Sequence, residues 1–289
     1  MSPSNFHGAR KFAETRFGDI AYVDQGSGPA ALLLHGLPLC GYAWTEVIQD
    51  VAAVRRCIAP DLLGLGYSRI APGHTVSFGD QANMLIGLLD ALNVDQVDVV
   101  GNDTGGGIAQ ILAANYPRRV RTLSLTNCEV HDLWPNALLR GFYEGVAAGV
   151  VIDGFKQMLS EPALAADQLG SLVYEQPSFF NAERVETYLR PIVESDDRIR
   201  NFQALCDWHT NRAQLMAAAA KLRHSTIPAQ LVWGDGDEIF DGEPSVEWFK
   251  SHLGSLEKVT RVQGAKLFFP EERPELVSQE LRGFWAKHQ

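Results

Sequence analysis

The stretch VDVVGNDTGGGIAQ, residues 97–110, decides the fold that we expect of this chain. An apolar run typical of a buried β-strand ends at Gly101, and the glycines at 105–107 open an apolar run with helical periodicity. Asp103 lies between the two runs, with Gly101 two residues before it and Gly105 two residues after it. Small residues at both places let neighbouring backbone approach closely. The pattern therefore predicts a sharp strand-to-helix turn with Asp103 at its tip.

The spacing of this turn also indicates a chemical role for Asp103. It matches the G-x-nucleophile-x-G elbow, in which a strained residue points its side chain out of the turn. The first amides of the following helix then face whatever that side chain attacks. An ordinary Asx turn is the alternative, because Asn, Asp and Gly all favour turns. The pentapeptide by itself leaves both interpretations open.

Composition restricts the classes of partner. The length of 289 residues suits one large α/β domain or a domain with an insertion. A net charge of −10 argues against nucleic acid and anionic membranes as partners. No apolar run approaches about 20 residues, and we expect no secretory signal. The four cysteines lack metal spacing. We expect a reduced, cytoplasmic protein that acts on a small molecule without a cofactor or metal; a homodimer is one open alternative for its oligomeric state.

The order of the elements predicts two domains. Strand and helix patterns alternate from residue 30 to residue 126 and resume at residue 229, which favours a parallel sheet with right-handed crossovers. Between them the patterns are helical and interrupted by prolines. We therefore predict an α/β core formed by residues 1–129 and 226–289. Residues 130–225 are predicted to form a helical cap over the carboxyl edge of the sheet.

Four motifs in this order resemble those of the α/β-hydrolase superfamily across nearly the whole chain: HGLP at 35–38, DLLGLGYS at 61–68, GNDTG at 101–105 and WGDGD at 233–237. The resemblance implies the α/β-hydrolase fold, with a mostly parallel sheet flanked by helices and an inserted helical cap. An aspartate at the elbow is most similar to the epoxide hydrolase and haloalkane dehalogenase branch.

The HGLP motif is similar to the H-G-x-P loop of epoxide hydrolases, in which the proline is often cis and a backbone N–H joins the oxyanion hole. The resemblance places His35, Gly36 and Leu37 in that loop. It implies that the amides of Leu37 and Thr104 line the hole.

The chemistry of a carboxylate agrees with that branch. An ionised carboxylate attacks an sp³ carbon that bears a leaving group and forms an alkyl ester, whereas attack on an ordinary ester would give an anhydride. Asp103 therefore suits small apolar epoxides, halides or lactone-like substrates, as nucleophile or as general base toward water. Haloalkane dehalogenases have a tryptophan after the nucleophile and a polar residue in the HG loop, where this chain has Thr104 and Leu37. Halide chemistry is therefore less expected than epoxide chemistry.

The histidine of the family is missing from its usual place. Aligning the sequence EERP at 271–274 with the family pattern puts Leu267 at the histidine position. Two histidines are candidate replacements: His131, just beyond the strand pattern at 122–126, and His209 in the predicted cap. A surface or structural role is the alternative for each. A lyase, a cyclase or a ligand-binding pseudo-enzyme is therefore the alternative to a hydrolase.

Other polar candidates come from the loops. Asp237 matches the acid of the family and Asp235 is its alternative, while a loop cap is the structural interpretation of either. Lys266 is a candidate electrostatic donor, against the default of a solvated lysine.

Aromatic candidates come from the predicted cap. In epoxide hydrolases two cap tyrosines donate to the epoxide oxygen, and the sequence does not select among Tyr143, Tyr174 and Tyr188. Further aromatic residues form either the pocket wall or a helical core: Trp134, Phe142, Phe179, Phe180 and Trp208.

Overall fold

The computed structural model describes residues 3–288, and within them the strands form one 8-stranded sheet in the order β1-β2-β4-β3-β5-β6-β7-β8. β1 pairs antiparallel with β2 and β2 with β4, and the other pairs are parallel. The prediction of a mostly parallel sheet is confirmed. The strands are β1 Lys11–Thr15, β2 Gly18–Gln25, β3 Ala30–Leu34, β4 Arg56–Pro60, β5 Val97–Asn102, β6 Val120–Thr126, β7 Ala229–Gly234 and β8 Leu256–Val262.

Helices follow most of the strands. They are α1 Pro3–Gly8, α2 Thr45–Val51, α3 Phe78–Ala91, α4 Thr104–Asn115, α5 Ala137–Ala147, α6 Val150–Ser160, α7 Ser171–Val173, α8 Ala182–Val193, α9 Asp196–Leu205, α10 Trp208–Leu222, α11 Gly242–His252, α12 Phe269–Glu272 and α13 Pro274–Trp285. A π-helical turn, Ala166–Gly170, precedes α7. In the part of the chain described, no helix has the length and apolar character needed to cross a membrane.

The central strands are buried on both faces of the sheet. Every residue of β3 and of β5 is buried, as apolar runs in parallel strands require. On one face the sheet packs against α2 and α13 through residues such as Val47 and Trp285. On the other it packs against α3 and α4 through residues such as Leu85 and Leu112. The helices therefore flank the sheet on both sides, as the α/β-hydrolase fold requires.

The chain between β6 and β7 contains helices α5 to α10, and the described residues 127–228 hold no strand. Its last helix is fixed to the core: Asn211 Oδ1 accepts from the backbone N–H of Phe78 at 2.9 Å, and Gln214 Oε1 from that of Gly79 at 2.7 Å. We use "cap" below for residues 130–225. The division into two domains at these boundaries stays a prediction.

The carboxyl ends of β5, β6 and β7 lie side by side, because these strands are parallel neighbours. Asp103 follows β5, Glu129 lies in the loop after β6, and Asp237 lies in the loop after β7. Ligands bind at this edge in open α/β sheets. The fold therefore gathers three carboxyl groups from distant parts of the sequence at one edge.

Candidate active site

Asp103 occupies the sharp turn that its sequence spacing predicts. Its backbone has φ 51° and ψ −132°, a conformation that costs a non-glycine residue about 1–3 kcal/mol. The turn is held by the N–H of Asp103, which donates to Asn127 O at 2.8 Å, and by the N–H of Gly106, which donates to Asp103 O at 2.7 Å. A Cβ at Gly105 would overlap the carbonyl oxygen of Leu34, so glycine is required there by close packing.

The carboxylate of Asp103 faces two backbone donors. The N–H of Leu37 donates to its Oδ2 at 2.7 Å, and the N–H of Thr104 also bonds to the carboxylate. Gly36 completes this arrangement, because a Cβ there would overlap Oδ2. The Leu37–Pro38 bond is cis. The amides that the resemblance assigns to the oxyanion hole therefore both point at Asp103.

His35 holds the loop of Leu37 in place. Its ring is fully buried; Nε2 accepts from the N–H of Leu62 at 3.1 Å, which leaves Nδ1 to donate to Gly36 O at 3.0 Å. Burial lowers the pKa of this imidazole, in agreement with a neutral ring. His35 does not line the cavity of Asp103, so it acts on the site through the loop that it ties to residues 61–68.

Asp103 lies at the floor of an apolar cavity of about 630 Å³. The floor is completed by Leu37, Pro38, Ile239, Leu267 and Phe268 from the core. Helices α5 and α6 contribute one wall, and residues 168–173 contribute another. Such a volume lies within the range of about 300–1,000 Å³ that is typical of small-molecule sites. Asp103 is the charged residue among its lining side chains, so the cavity suits a neutral and largely apolar ligand.

Glu129 is a second carboxyl group at the site, and the sequence analysis missed it. It is fully buried, and its Oε1 accepts from Thr104 Oγ1 at 3.0 Å. Burial raises the pKa of Glu129 to about 7. Burial and then the charge of Glu129 raise the pKa of Asp103 well above its usual range, against the opposing effect of the Leu37 and Thr104 amides. The sequence feature that could have indicated Glu129 is its position just after a predicted strand, at the carboxyl edge of the sheet.

The structure does not bring either candidate histidine into the cavity. His131 has φ 39°, its Nδ1 bonds to Asp132 Oδ1 at 2.8 Å, and its ring stacks on Trp248. The side chain of His209 is 74% exposed and stacks on Trp208. Among the residues described, no histidine lines the cavity. This placement contradicts the proposal that His131 or His209 replaces the missing base.

Leu267 occupies the floor next to Phe268, where the family alignment puts the histidine. Its side chain is buried, and its carbonyl oxygen accepts from Asn102 Nδ2 at 3.0 Å. The loop is therefore held by the elbow residue that immediately precedes Asp103. An apolar side chain fills this part of the cavity floor.

The acids and the lysine of the following loops are held by structural partners. Asp237 accepts from Asn127 Nδ2 and from the N–H of Ile239, both at 2.8 Å, and burial raises its pKa to about 6. These bonds match its interpretation as a loop cap. Asp235 pairs with Arg261, and Lys266 Nζ donates to Ser171 O and to Glu238, so neither lines the cavity.

The structure separates the three cap tyrosines. Tyr143 lines the cavity of Asp103, whereas the hydroxyls of Tyr174 and Tyr188 each donate at 2.7 Å to a carboxylate oxygen of Glu271. Burial, followed by the charges of nearby Glu129 and Asp103, raises the pKa of Tyr143 well above its usual range. Its phenol is therefore protonated at neutral pH and is a hydrogen-bond donor.

Of the other aromatic candidates, Phe142 lines the cavity of Asp103 and Trp134 does not. The Trp134 ring packs edge-on against Tyr143 and stacks on Phe78. Trp134 lines a smaller neighbouring cavity of about 180 Å³. Phe179, Phe180 and Trp208 do not line the cavity of Asp103 and pack within the cap. Trp134 therefore packs against Tyr143 without lining the cavity of Asp103.

Comparisons with known proteins agree with this architecture. Residues 29–272 match the family model described as alpha/beta hydrolase fold. Haloalkane dehalogenase 2 of Mycobacterium tuberculosis is 35% identical over 94% of this chain and 93% of its own. Epoxide hydrolase 2 of Siraitia grosvenorii is 28% identical over 91% of this chain and 93% of its own. A cis-3-alkyl-4-alkyloxetan-2-one decarboxylase of Shewanella oneidensis is 25% identical over 84% of this chain and 78% of its own.

Among solved structures, the epoxide hydrolase CorEH without ligand superposes with a TM-score of 0.78. It is 25% identical, over 97% of this chain and 99% of that one. Motifs, fold and relatives agree over nearly the full length of the chain. The chain therefore belongs to the α/β hydrolase family.

Proposed function

We propose that this protein is an enzyme in which the carboxylate of Asp103 attacks an sp³ carbon of an apolar epoxide and forms a covalent alkyl ester. One observation carries the proposal: the Asp103 carboxylate lies at the floor of an apolar cavity, with Oδ2 2.7 Å from the N–H of Leu37. A carboxylate held in place opposite a bound electrophile gains most from proximity and orientation.

Tyr143 is the proposed donor to the departing oxygen. As an Asp103 oxygen bonds to the epoxide carbon, the carbon–oxygen bond of the ring breaks and its electron pair stays on oxygen. The phenol of Tyr143 lines the same cavity and stabilises that oxygen by a hydrogen bond. A halide has weaker support as the leaving group, because the hydroxyl of Thr104 donates to Glu129 and Leu37 offers an apolar side chain.

Hydrolysis of the ester is the slow step in this proposal. The amides of Leu37 and Thr104 are placed to stabilise charge on the ester carbonyl of Asp103. A water must still be activated, and general-base assistance is worth about 10²–10⁴-fold. Among the described residues, no histidine side chain reaches the cavity to supply that assistance. We therefore propose weak net hydrolysis with an alkyl ester that accumulates on Asp103.

Intact-protein mass spectrometry tests this proposal. After incubation with terminal alkyl epoxides, from butene oxide to decene oxide, we expect a mass gain of one epoxide on the wild type and none on Asp103→Asn. His131→Ala and His209→Ala should form and lose the adduct at the wild-type rate. An adduct that is also found on Asp103→Asn, or the absence of any adduct together with unchanged activity of Asp103→Asn, would contradict the role of Asp103.

A second candidate function is a lyase that opens an oxetan-2-one, a β-lactone. The observation that favours it is the apolar floor at Leu267, since the reaction uses neither water nor a base. Asp103 would attack the sp³ ring carbon that is bonded to the ring oxygen, and that carbon–oxygen bond would break with its electron pair on the released carboxylate. The carboxylate would then leave as CO₂, and the electron pair of the broken carbon–carbon bond would form the alkene double bond and expel the Asp103 carboxylate. The relative from Shewanella oneidensis is named for such a decarboxylation.

Product analysis separates the two candidates. A dialkyl β-lactone incubated with the protein should give an alkene and CO₂ if the lyase proposal holds. The hydroxy acid would be the product of hydrolysis. If the wild type forms neither product at a level above that of Asp103→Asn, the epoxide proposal is the better one.

A further inference from the structure

The outer end of the cavity is apolar where it meets solvent. Leu138 of α5 and Val150 of α6 both line the cavity, and they are 47% and 67% exposed. These two side chains extend the apolar lining of the cavity to the solvent-exposed surface. The cavity therefore offers continuous apolar contact from Asp103 to the surface of the cap.

Two glycines lie on the same wall, where Gly141 is exposed and Gly154 is half-buried. Gly141 of α5 and Gly154 of α6 line the cavity, and a Cβ added at either would meet no atom within 4 Å. Glycine inside a helix costs about 1 kcal/mol relative to alanine. Glycine is therefore not required at either place to avoid a clash. The lack of a side chain there leaves open space next to the apolar wall.

The volume also exceeds what a small epoxide fills. At roughly 30 Å³ per non-hydrogen atom, as for a liquid water molecule, butene oxide with its five heavy atoms occupies about 150 Å³. Decene oxide with eleven occupies about 330 Å³ on the same scale. The cavity of about 630 Å³ therefore accommodates the longer molecule with room at its open end.

We propose that the substrate carries an extended, uncharged apolar chain that runs from Asp103 past Gly141 and Gly154 to the rim at Leu138 and Val150. This inference rests on the proposed function for its reactive group, and it specifies the substrate class as chain-bearing electrophiles rather than small ones. Each additional methylene buried along this wall should raise the affinity about fourfold.

Side chains that fill the open space test the proposal. Gly154→Leu, with Gly141→Leu as a second variant, should narrow the path and should fold, because a Cβ at either place meets no atom within 4 Å and leucine is a better helix former than glycine. Gly283→Leu is the matched control: it lies in α13, away from the cavity, and its Cβ would also meet nothing within 4 Å.

Decene oxide has six more methylenes than butene oxide, so in the wild type we expect its adduct formation at equal, subsaturating concentration to be faster by about tenfold if two of them are buried and by roughly 10³-fold if all six are. Gly154→Leu should lower this ratio toward one, and Gly283→Leu should leave it unchanged. A ratio near one in the wild type, or a ratio that Gly154→Leu and Gly141→Leu do not change, would overturn the proposal.

Binding of unreactive diols keeps this test separate from the chemistry. Calorimetric titration with decanediol and butanediol requires no reaction at Asp103. If the path for the chain exists, decanediol binds the wild type and Gly283→Leu about tenfold or more tighter than it binds Gly154→Leu. Equal binding by all three proteins would refute the chain path even if adducts form. If decanediol binding is lost only in Gly154→Leu and the wild type forms no epoxide adduct, the epoxide chemistry is refuted and the path for the chain is not.

Discussion

The Oγ1 atom of Thr104 donates a hydrogen bond of 3.0 Å to Oε1 of Glu129. It links the first residue of the helix after the elbow to a buried acid that follows the neighbouring strand. The same threonine donates its backbone N–H to the Asp103 carboxylate. Two carboxyl groups are therefore bridged by one residue, and the charge of Glu129 acts on Asp103.

The rate of Asp103 alkylation should rise with pH, with a midpoint above the usual pKa of an aspartate, because the ionised form is the nucleophile. Burial and the charge of Glu129 both raise the pKa of Asp103. Glu129→Gln removes the charge and keeps an oxygen for Thr104, so it should lower the pKa of Asp103 and shift the rate profile to lower pH. Adduct formation followed by mass spectrometry at a series of pH values measures this. An unchanged midpoint in Glu129→Gln, or a rate that falls as pH rises, would contradict the coupling.

Asp103→Asn should stabilise the fold at neutral pH by about 1–3 kcal/mol, the usual desolvation penalty of a buried polar group, because the Leu37 and Thr104 amides offset only part of the cost of burying this charge. Burial raises the pKa of Glu129 from 4.5 to about 7 and that of Asp237 from 3.8 to about 6, and that of Asp103 also rises. The native state then binds more protons than the unfolded state, so stability falls as pH rises from about 4 to about 7. Asp103→Asn should make this fall shallower.

Urea unfolding at several pH values is the measurement for Asp103→Asn. Asp95→Asn, an exposed aspartate, is the matched control and should stay within about 0.5 kcal/mol of the wild type. An Asp103→Asn variant that is less stable than the wild type at neutral pH would show that the amides of Leu37 and Thr104 outweigh the burial of the carboxylate.

Leu267→His should restore a base at the cavity floor. If the ester on Asp103 persists because no imidazole activates water, a histidine at this place should speed its breakdown, with a ceiling of about 10²–10⁴-fold. Leu267→Gln is the control, since it is polar but cannot accept a proton at neutral pH. The decay of the adduct after removal of excess epoxide gives the rate. Equal decay in the two variants would mean that water activation does not limit the reaction.

Glu271 should be the polar contact that contributes most to holding the cap on the core. Its carboxylate is buried and accepts from Tyr174, Tyr188 and Arg184. Removing one member of a buried charged pair costs about 3–5 kcal/mol, and we expect Glu271→Ala to reach that range. Glu247→Ala, in an exposed pair with Lys250, should cost about 0–1 kcal/mol. Similar losses of unfolding free energy in both variants would contradict this role of Glu271.

Much of the fold and one part of the site follow from local sequence patterns. The apolar runs of β3 and β5 and the glycines around Asp103 carry their structural reason within a few residues. The elbow and the loop of Leu37 could therefore be predicted. Glu129 has no such local pattern, because its role arises only when β6 pairs with β5 and brings it next to Thr104.

Side-chain direction was the part that the sequence could not supply. His131 does lie at the carboxyl edge, but its left-handed backbone and its stacking on Trp248 turn the ring away from Asp103. The three cap tyrosines are equivalent in sequence terms, and the buried carboxylate of Glu271 distinguishes them in space. Partners from distant segments therefore decide which residues face the site.

The segment after β8 is bonded to the cap in several places. The N–H of Phe268 donates to Val173 O at 3.0 Å, and Glu272 accepts from the amides of Glu175 and Gln176. Lifting the cap at this edge would break all of these bonds together. We therefore expect ligands to exchange through side-chain and loop motions around α5 and α6, on the picosecond-to-microsecond timescale, without the slower hinge motions of a whole lid.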